Sequence, residues 1–244
     1  MIGYLFAAVF CLLYLSARKK LRDTGKEFVA NASHELRTPM TVLKGFAEIL
    51  QEHPNISGVQ LKEIAGKLVS TAHRLEKVVK SLTILTDVEW ASKQFQSIDL
   101  VPIVEECSRF LLSVCPDAQL SLRSEAPSVP VFADAGLLDM ALINLLENAV
   151  KYSEGPASIA VSIEQTAGEV RVQVKDAGIG ISSEEMRHIF ERFYRVDKGR
   201  SRKLGGIGLG LSIVKTIMEK HQGRVEVQSE LGQGSVFTLV LPKK

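Results

Sequence analysis

His34 stands in the run Ser-His-Glu-Leu-Arg-Thr-Pro, residues 33–39, where an imidazole can serve as nucleophile or base. Asn144, Asn148 and Lys151 follow at i, i+4 and i+7, one face of a helix. Two amides and an ammonium are costly to bury and suit an oxygen-rich ligand carrying a divalent ion. A solvated helix face fits the same spacing. Asp176-Ala177-Gly178-Ile179-Gly180 follows an alternating strand-like stretch, 170–175. The glycines permit a ligand to approach the backbone closely, and an acidic acceptor there can select the amino group of adenine. A plain strand-ending turn explains these residues equally. Gly205-Gly206-Ile207-Gly208-Leu209-Gly210 opens a further helix, where free N–H groups make an anion site. It is neither G-x-G-x-x-G nor a loop ending in G-K-[ST]. Just before it, Arg195, Lys198, Arg200, Arg202 and Lys203 read as a basic lid over a polyphosphate or as a solvated loop.

The elements that must hold these groups are legible in the apolar spacing. Val29, Ala32, Leu36, Pro39, Leu43, Phe46 and Leu50 alternate intervals of three and four, a heptad seam. His34 falls at f, furthest from the seam, so a core histidine is disfavoured; an idle surface residue and a reactive one both remain. Pro39 is expected to kink this helix, which runs over about 24–50. The turn at 52–58 holds Pro54, Asn55 and Gly58. Beyond it Leu61, Ile64, Leu68, Thr71, Leu75, Val78, Leu82 and Leu85 repeat the seam. Two such helices make an antiparallel hairpin, and a second copy completes a four-helix bundle. From about Phe95 strands and helices alternate: helices at 100–114, 135–152 and 209–221, strands at 119–123, 129–132, 158–164, 170–175, 224–228 and 236–241. This pattern predicts a mixed or antiparallel sheet with helices on one face.

Composition excludes little and orients much. Thirty basic against 28 acidic residues in 244 leave +2, no bias toward polyanions, and 45% apolar with 24% charged residues describes a globular chain. Cys11, Cys107 and Cys115 form no C-x-x-C pair, so neither a disulfide framework nor a zinc site is expected. Residues 1–17 are uncharged and mostly apolar and precede Arg18, Lys19, Lys20 and Arg22. Seventeen helical residues rise about 25 Å against a hydrocarbon core of about 30 Å, a gap that snorkelling basic residues extend across. The basic cluster follows the apolar run, which places the remainder in the cytoplasm and argues against a signal peptide. The alternative is a buried N-terminal helix.

These motifs occur in one order, and in that order the chain resembles the transmitter of a bacterial two-component sensor histidine kinase over about residues 24–242. SHELRTP resembles the H box, NLLENAVKY the N box, DAGIG the G1 box, FERFYR the F box and GGIGLGLSIVK the G2 box. FVANASHELRTPMTVLKGF and FYRVDKGRSRKLGG resemble the phosphate-regulon sensor subgroup. The resemblance implies a membrane anchor at 1–17, a basic juxtamembrane linker at 18–27, a dimerisation and histidine-phosphotransfer domain at 28–90, and a catalytic domain at 95–244. The first folded domain would be an α-helical hairpin forming a dimeric four-helix bundle. The second would be an α/β sandwich like the ATP-binding fold of gyrase, Hsp90 and MutL. It further implies a single-pass protein of the inner membrane that takes ATP and Mg²⁺, homodimerises through 28–90 and passes phosphate to a response-regulator receiver domain, without binding nucleic acid. His34 would be the phospho-acceptor, Glu35 the acceptor of its Nδ1 proton, and Thr38 the residue that positions water for dephosphorylating the partner. Asn148 would hold Mg²⁺, with Asn144 and Lys151 at phosphates or ion and Asp176 at the adenine amino group. Tyr152, Gly178 and Gly180 would shape the nucleotide wall, and Arg195, Gly206, Gly208, Leu209 and Gly210 the lid and phosphate cradle. Ala177 departs from the usual asparagine of the G1 box, and Ile207 from a frequent Thr or Ser, which would weaken a phosphate contact. A gyrase-type ATPase would need a glutamate four residues before Asn148; that position is Asn144.

Overall fold

A computed structural model describes residues 2–53, 56–90, 94–196 and 206–243, and for 2–25, 27 and 86–90 the backbone alone. The chain divides into two compact units, Met1–Lys80 and Ser81–Lys244. The first is built from α1 (Ile2–Glu52) and α2 (Gly58–Trp90), whose last turns belong to the second unit. The backbone of 18–27, expected as a linker, continues the helix of α1, in keeping with a stretch that contains no proline. The side chains of the expected anchor at 1–17 lie outside the described residues, and among the described residues no helix is long and apolar enough to cross a membrane.

The seam positions explain the hairpin. Except for Val29 and Leu61, every seam residue described is buried or half-buried, while His34 at f is exposed. Ser57 and Gln60 start α2 with a capping box: Gln60 N–H donates to Ser57 Oγ at 3.3 Å, and Ser57 N–H to Gln60 Oε1 at 3.2 Å. Across the hairpin, Lys67 lies over the Phe46 ring at 5.8 Å and Arg74 pairs with Glu35, an antiparallel register. Pro39 is buried inside α1 and has no N–H for the Glu35 carbonyl.

The second unit is a two-layer α/β sandwich. β1 (Gln96–Asp99) pairs antiparallel with β3 (Pro130–Ala133). The main sheet has the order β2-β4-β5-β7-β6, from Gln119–Ser124, Ser158–Gln165, Glu169–Asp176, Gly234–Pro242 and Arg224–Glu230. β2 and β4 are parallel and the other pairs antiparallel, the mixed sheet that the sequence predicts. Helices α3 (Leu100–Val114), α4 (Ala135–Lys151) and α5 (Gly210–Lys220) supply the second layer, with α4 packed against both of the others. Alternation along β5 sends Val170, Val172 and Val174 into the core. Its other face carries Arg171, which pairs with Glu226, while Arg224 pairs with Glu169. Asp99 caps α3 by accepting from Val101 N–H at 3.1 Å, and Asp134 caps α4 by accepting from Leu137 N–H at 3.2 Å.

Candidate functional site

On α1, His34 and Thr38 are exposed and one turn apart, hence on one face. Thr38 Oγ1 donates to the His34 carbonyl at 3.2 Å. Glu35 is different: its side chain is 16% exposed and its Oε2 lies 3.6 Å from Arg74 Nη2 on α2. The structure therefore places two of the three predicted catalytic residues on an open face and turns the third into the hairpin.

In the second unit an open cavity lies among α4, the end of β5, the 179–196 segment, the start of α5 and β7. Asn148, Tyr152, Asp176, Gly180 and Arg195 of the predicted set line it. Asp176 ends β5, where alternation turns it inward; it is 7% exposed. Its Oδ1 accepts from Gly178 N–H at 2.8 Å and Ser235 N–H at 3.3 Å. Burial pushes its carboxyl above the usual carboxylate range, and the two amide donors pull the other way. With Oδ1 so committed, Oδ2 is the acceptor left for a ligand.

The glycines carry close approaches. Gly180 has φ +68°, and a Cβ there would collide with the Glu230 carbonyl oxygen. Gly208, φ +82°, accepts from Phe193 N–H at 2.8 Å and leaves no room for a Cβ beside Phe193 and Tyr194. Gly178 packs on the Tyr152 carbonyl at the end of α4, and the Gly206 carbonyl accepts from Arg195 Nη1 at 3.1 Å. Gly210 begins α5 directly against Asn144, whose Oδ1 would be 2.9 Å from an added Cβ and Asn148 Nδ2 4.0 Å. Among the described residues no side chain caps α5, whose first turn starts beside Asn148, where free N–H groups can accept an anion.

Not every predicted residue lines the cavity. Asn144 lies behind Gly210 and spends its amide on the Met140 carbonyl at 2.8 Å. Lys151 sits with Nζ 5.0 Å from the centre of the Tyr152 ring, outside the lining. Leu209 is 1% exposed and Ile207 5%, so both side chains are core and only their backbones are available to a ligand. Ala177 is exposed. Lys198, Arg200, Arg202, Lys203 and Gly205 lie outside the described residues. Sequence reasoning missed the apolar wall: Ile179, Ile181, Ile189, Tyr194, Val196, Leu211 and Phe237, with Ser235 at its edge. Tyr194 sits in the FERFYR run and could have been read from it; its hydroxyl donates to Glu185, which raises the phenol to about 12. Phe237 is opposite Val174 across the β5–β7 pair, a neighbour that only sheet register supplies.

This arrangement is that of an ATP-binding sandwich joined to a histidine-bearing hairpin. Residues 133–244 match the family model "Histidine kinase-, DNA gyrase B-, and HSP90-like ATPase", and 26–89 match the His Kinase A (phospho-acceptor) domain. The chain belongs to the two-component sensor histidine kinases. It is 35% identical over 240 residues to the sensor-like histidine kinase SenX3 of Mycolicibacterium smegmatis, covering 96% of this chain and 62% of that protein. To the sensor protein SrrB of Staphylococcus aureus it is 33% identical, over 89% of this chain and 38% of that one. The chain thus spans less than two thirds of these curated relatives. Among solved structures, histidine kinase ThkA in complex with response regulator protein TrrA matches with a TM-score of 0.74 at 26% identity, over 93% of this chain and 64% of that one.

Proposed function

We propose that this chain is an ATP-dependent protein-histidine kinase that phosphorylates His34 and passes the phosphoryl group to an aspartate of a response-regulator receiver domain. The observation that carries this reading is the cavity in which buried Asp176 faces Asn148 and the uncapped start of α5, in a chain that also presents an exposed His34. In the reaction His34 Nε2 attacks the γ-phosphorus of ATP, the bond from that phosphorus to the β-phosphate oxygen breaks, and ADP leaves. Glu35 takes the Nδ1 proton. Asp176 Oδ2 accepts from the adenine amino group, and the α5 N–H groups with Arg195 hold phosphate oxygens.

Mg²⁺ fits the donor set: among the described residues no three His, Cys, Asp or Glu cluster as a cage, whereas Asn148 offers one amide oxygen beside the phosphate site. Bound there, such an ion would offset the charge of the phosphates. Asn148 is the residue that would hold it, with Asn144 behind.

Exposed Met40, Val42 and Ile49 on α1 and Val59, Val69 and Val79 on α2, with the exposed seam ends Val29 and Leu61, support a homodimer through the hairpin. The apolar run 1–17 followed by Arg18, Lys19, Lys20 and Arg22 supports an anchor in the inner membrane with the catalytic part in the cytoplasm. Thr38, on the His34 face, supports a second activity: removal of phosphate from the regulator. Label carried on His34 should move to an added receiver domain from the neighbouring gene, and Thr38→Ala should slow the later loss of that label while sparing autophosphorylation. Equal loss of both activities would remove the role of Thr38, and label that no cognate receiver accepts would remove the transfer step.

A further inference from the structure

His221 takes no part in the reaction proposed above, yet its imidazole is buried at the end of α5, 3% exposed, with a polar contact at each nitrogen. Nε2 accepts from the Asp134 N–H at the start of α4, 3.1 Å, and Nδ1 lies 2.8 Å from the Ile217 carbonyl. An acceptor at Nε2 leaves the ring proton on Nδ1, which donates to that carbonyl. Directly before β1, the Gln94 N–H donates to Asp134 Oδ2 at 3.3 Å, and the Phe95 ring lies 4.7 Å from the His221 ring, tilted by 45°. We propose that His221 is a positioning residue for the ATP site: it ties the end of α5 to the start of α4 and seats Phe95, so that the segment leading into the sheet sets how the first turn of α5 meets Asn148. The inference rests on the ATP site proposed above.

Three observations carry it. The end of α5 meets the start of α4 at His221 and Asp134, while the start of α5, Gly210, packs on Asn144 and Asn148 toward the end of α4. The two helices therefore run antiparallel and are fastened at both ends. The 11 residues of α5 rise about 16 Å as a stiff rod, so the place where one end is held fixes where the other end falls. Second, neither helix needs the imidazole for its own cap. α5 closes on Gln222 at φ +58°, whose N–H donates to the Glu219 carbonyl at 3.0 Å, and the Gly223 N–H donates to the Met218 carbonyl at 2.9 Å, a Schellman motif. Asp134 Oδ1 caps α4. What the ring adds is a tie from one helix to the other. Third, the segment before β1 bears on both members of that tie, Gln94 on Asp134 and Phe95 on His221, with Phe132 5.9 Å from Phe95 on β3. A histidine that only filled the core would explain the two ring contacts and not this convergence.

The consequence falls on binding. Without the tie α5 is free to slide along α4, and its first-turn N–H groups leave their place beside Asn148. Those groups hold phosphate oxygens in the bound substrate and in the transition state alike, so their displacement raises KM and leaves the saturated rate. Loosening Phe95 acts through the same ring and produces the same kind of loss.

The test uses the full chain with Mg²⁺, titrated with a fluorescent ATP analogue and assayed for initial rates of His34 labelling over a range of ATP. His221→Phe keeps a flat ring for Phe95 and removes both polar contacts; it should weaken binding and raise the KM for ATP about fivefold with the saturated rate unchanged. His221→Gln keeps a donor and an acceptor and should recover most of that loss. Phe95→Leu should raise KM about threefold, and the double variant His221→Phe, Phe95→Leu no further than His221→Phe alone. Wild-type affinity in both single variants overturns the proposal. So does a lower saturated rate at unchanged KM, or a lower melting temperature at unchanged affinity, since each is what a purely structural histidine gives. Additive effects in the double variant overturn it as well. Where His221→Phe does not fold, Phe95→Leu decides, and an unchanged KM there overturns the proposal. A wild-type chain that binds no ATP removes the ATP-site reading and this proposal together, whereas a wild type that binds ATP with unaffected variants removes this proposal alone.

Discussion

Asp176→Asn separates recognition from stability in a single substitution. The native carboxylate is buried, with Oδ1 committed to the Gly178 and Ser235 amides and Oδ2 left for the ligand. Asparagine can keep both amide bonds through its carbonyl oxygen, but it then presents an N–H to the amino group of adenine. One hydrogen bond to a charged acceptor is lost, about 1.5–3 kcal/mol, which is about 10- to 150-fold in ATP affinity. The free protein should change in the opposite direction. Because burial raises the Asp176 carboxyl above its unfolded value of 3.8, this group contributes most stability when protonated, below that value, and loses the contribution as pH rises through the folded value. At pH 7 the wild type bears the full desolvation penalty and the asparagine variant does not. The variant should therefore melt at or above the wild-type temperature at pH 7, and the gap should close on acidification toward pH 4. Fluorescent ATP-analogue titration and thermal melts of the same preparations read both quantities. Affinity within threefold of wild type, or a melting temperature that falls at pH 7 and recovers in acid, would refute the reasoning.

Two further substitutions test the scaffold around the cavity. Gly180→Ala places a Cβ at φ +68° against the Glu230 carbonyl and should cost about 2 kcal/mol or more in urea unfolding, with ATP binding reduced; an unchanged midpoint contradicts the close approach. Tyr194→Phe removes the hydroxyl bond to Glu185 that holds this phenol at about 12. Since that value is raised, the advantage of wild type over the variant should be constant below about pH 10 and vanish between about 10 and 12. An advantage that persists undiminished to pH 12 would exclude the Glu185 bond as its source.

Much of this could be read before any coordinates. The heptad seams placed both hairpin helices and put His34 on the open face because apolar spacing on a helix is itself a statement of direction. The strands of the sandwich were legible from period-two alternation, and the ligand-bearing segments from Asn, Asp and Gly clustered beside them. β1 was not: Gln96–Asp99 is four residues long and is a strand only because β3 pairs with it. Nor was the apolar wall of the cavity, since Ile189 and Phe237 are ordinary core residues until the sheet register and the 182–196 fold bring them to one side. The face formed by Asn144, Asn148 and Lys151 was read as one functional surface, but the cavity takes Asn148, while Asn144 supports Gly210 and Lys151 covers Tyr152. Spacing tells which residues share a face and not where along it the neighbouring helix lands. Arg74 escaped notice for a similar reason: its partner Glu35 is 39 positions away, and only the turn length sets the register that joins them.

The central claim is that ATP bound in the sandwich phosphorylates His34. Incubation of the full chain with γ-labelled ATP and Mg²⁺, followed by acid and base treatment, measures it most directly. The structure predicts covalent label that is labile to acid, stable to base and absent from His34→Gln, a substitution at an exposed position that leaves folding intact. Label that survives acid, or that persists in His34→Gln, would contradict it.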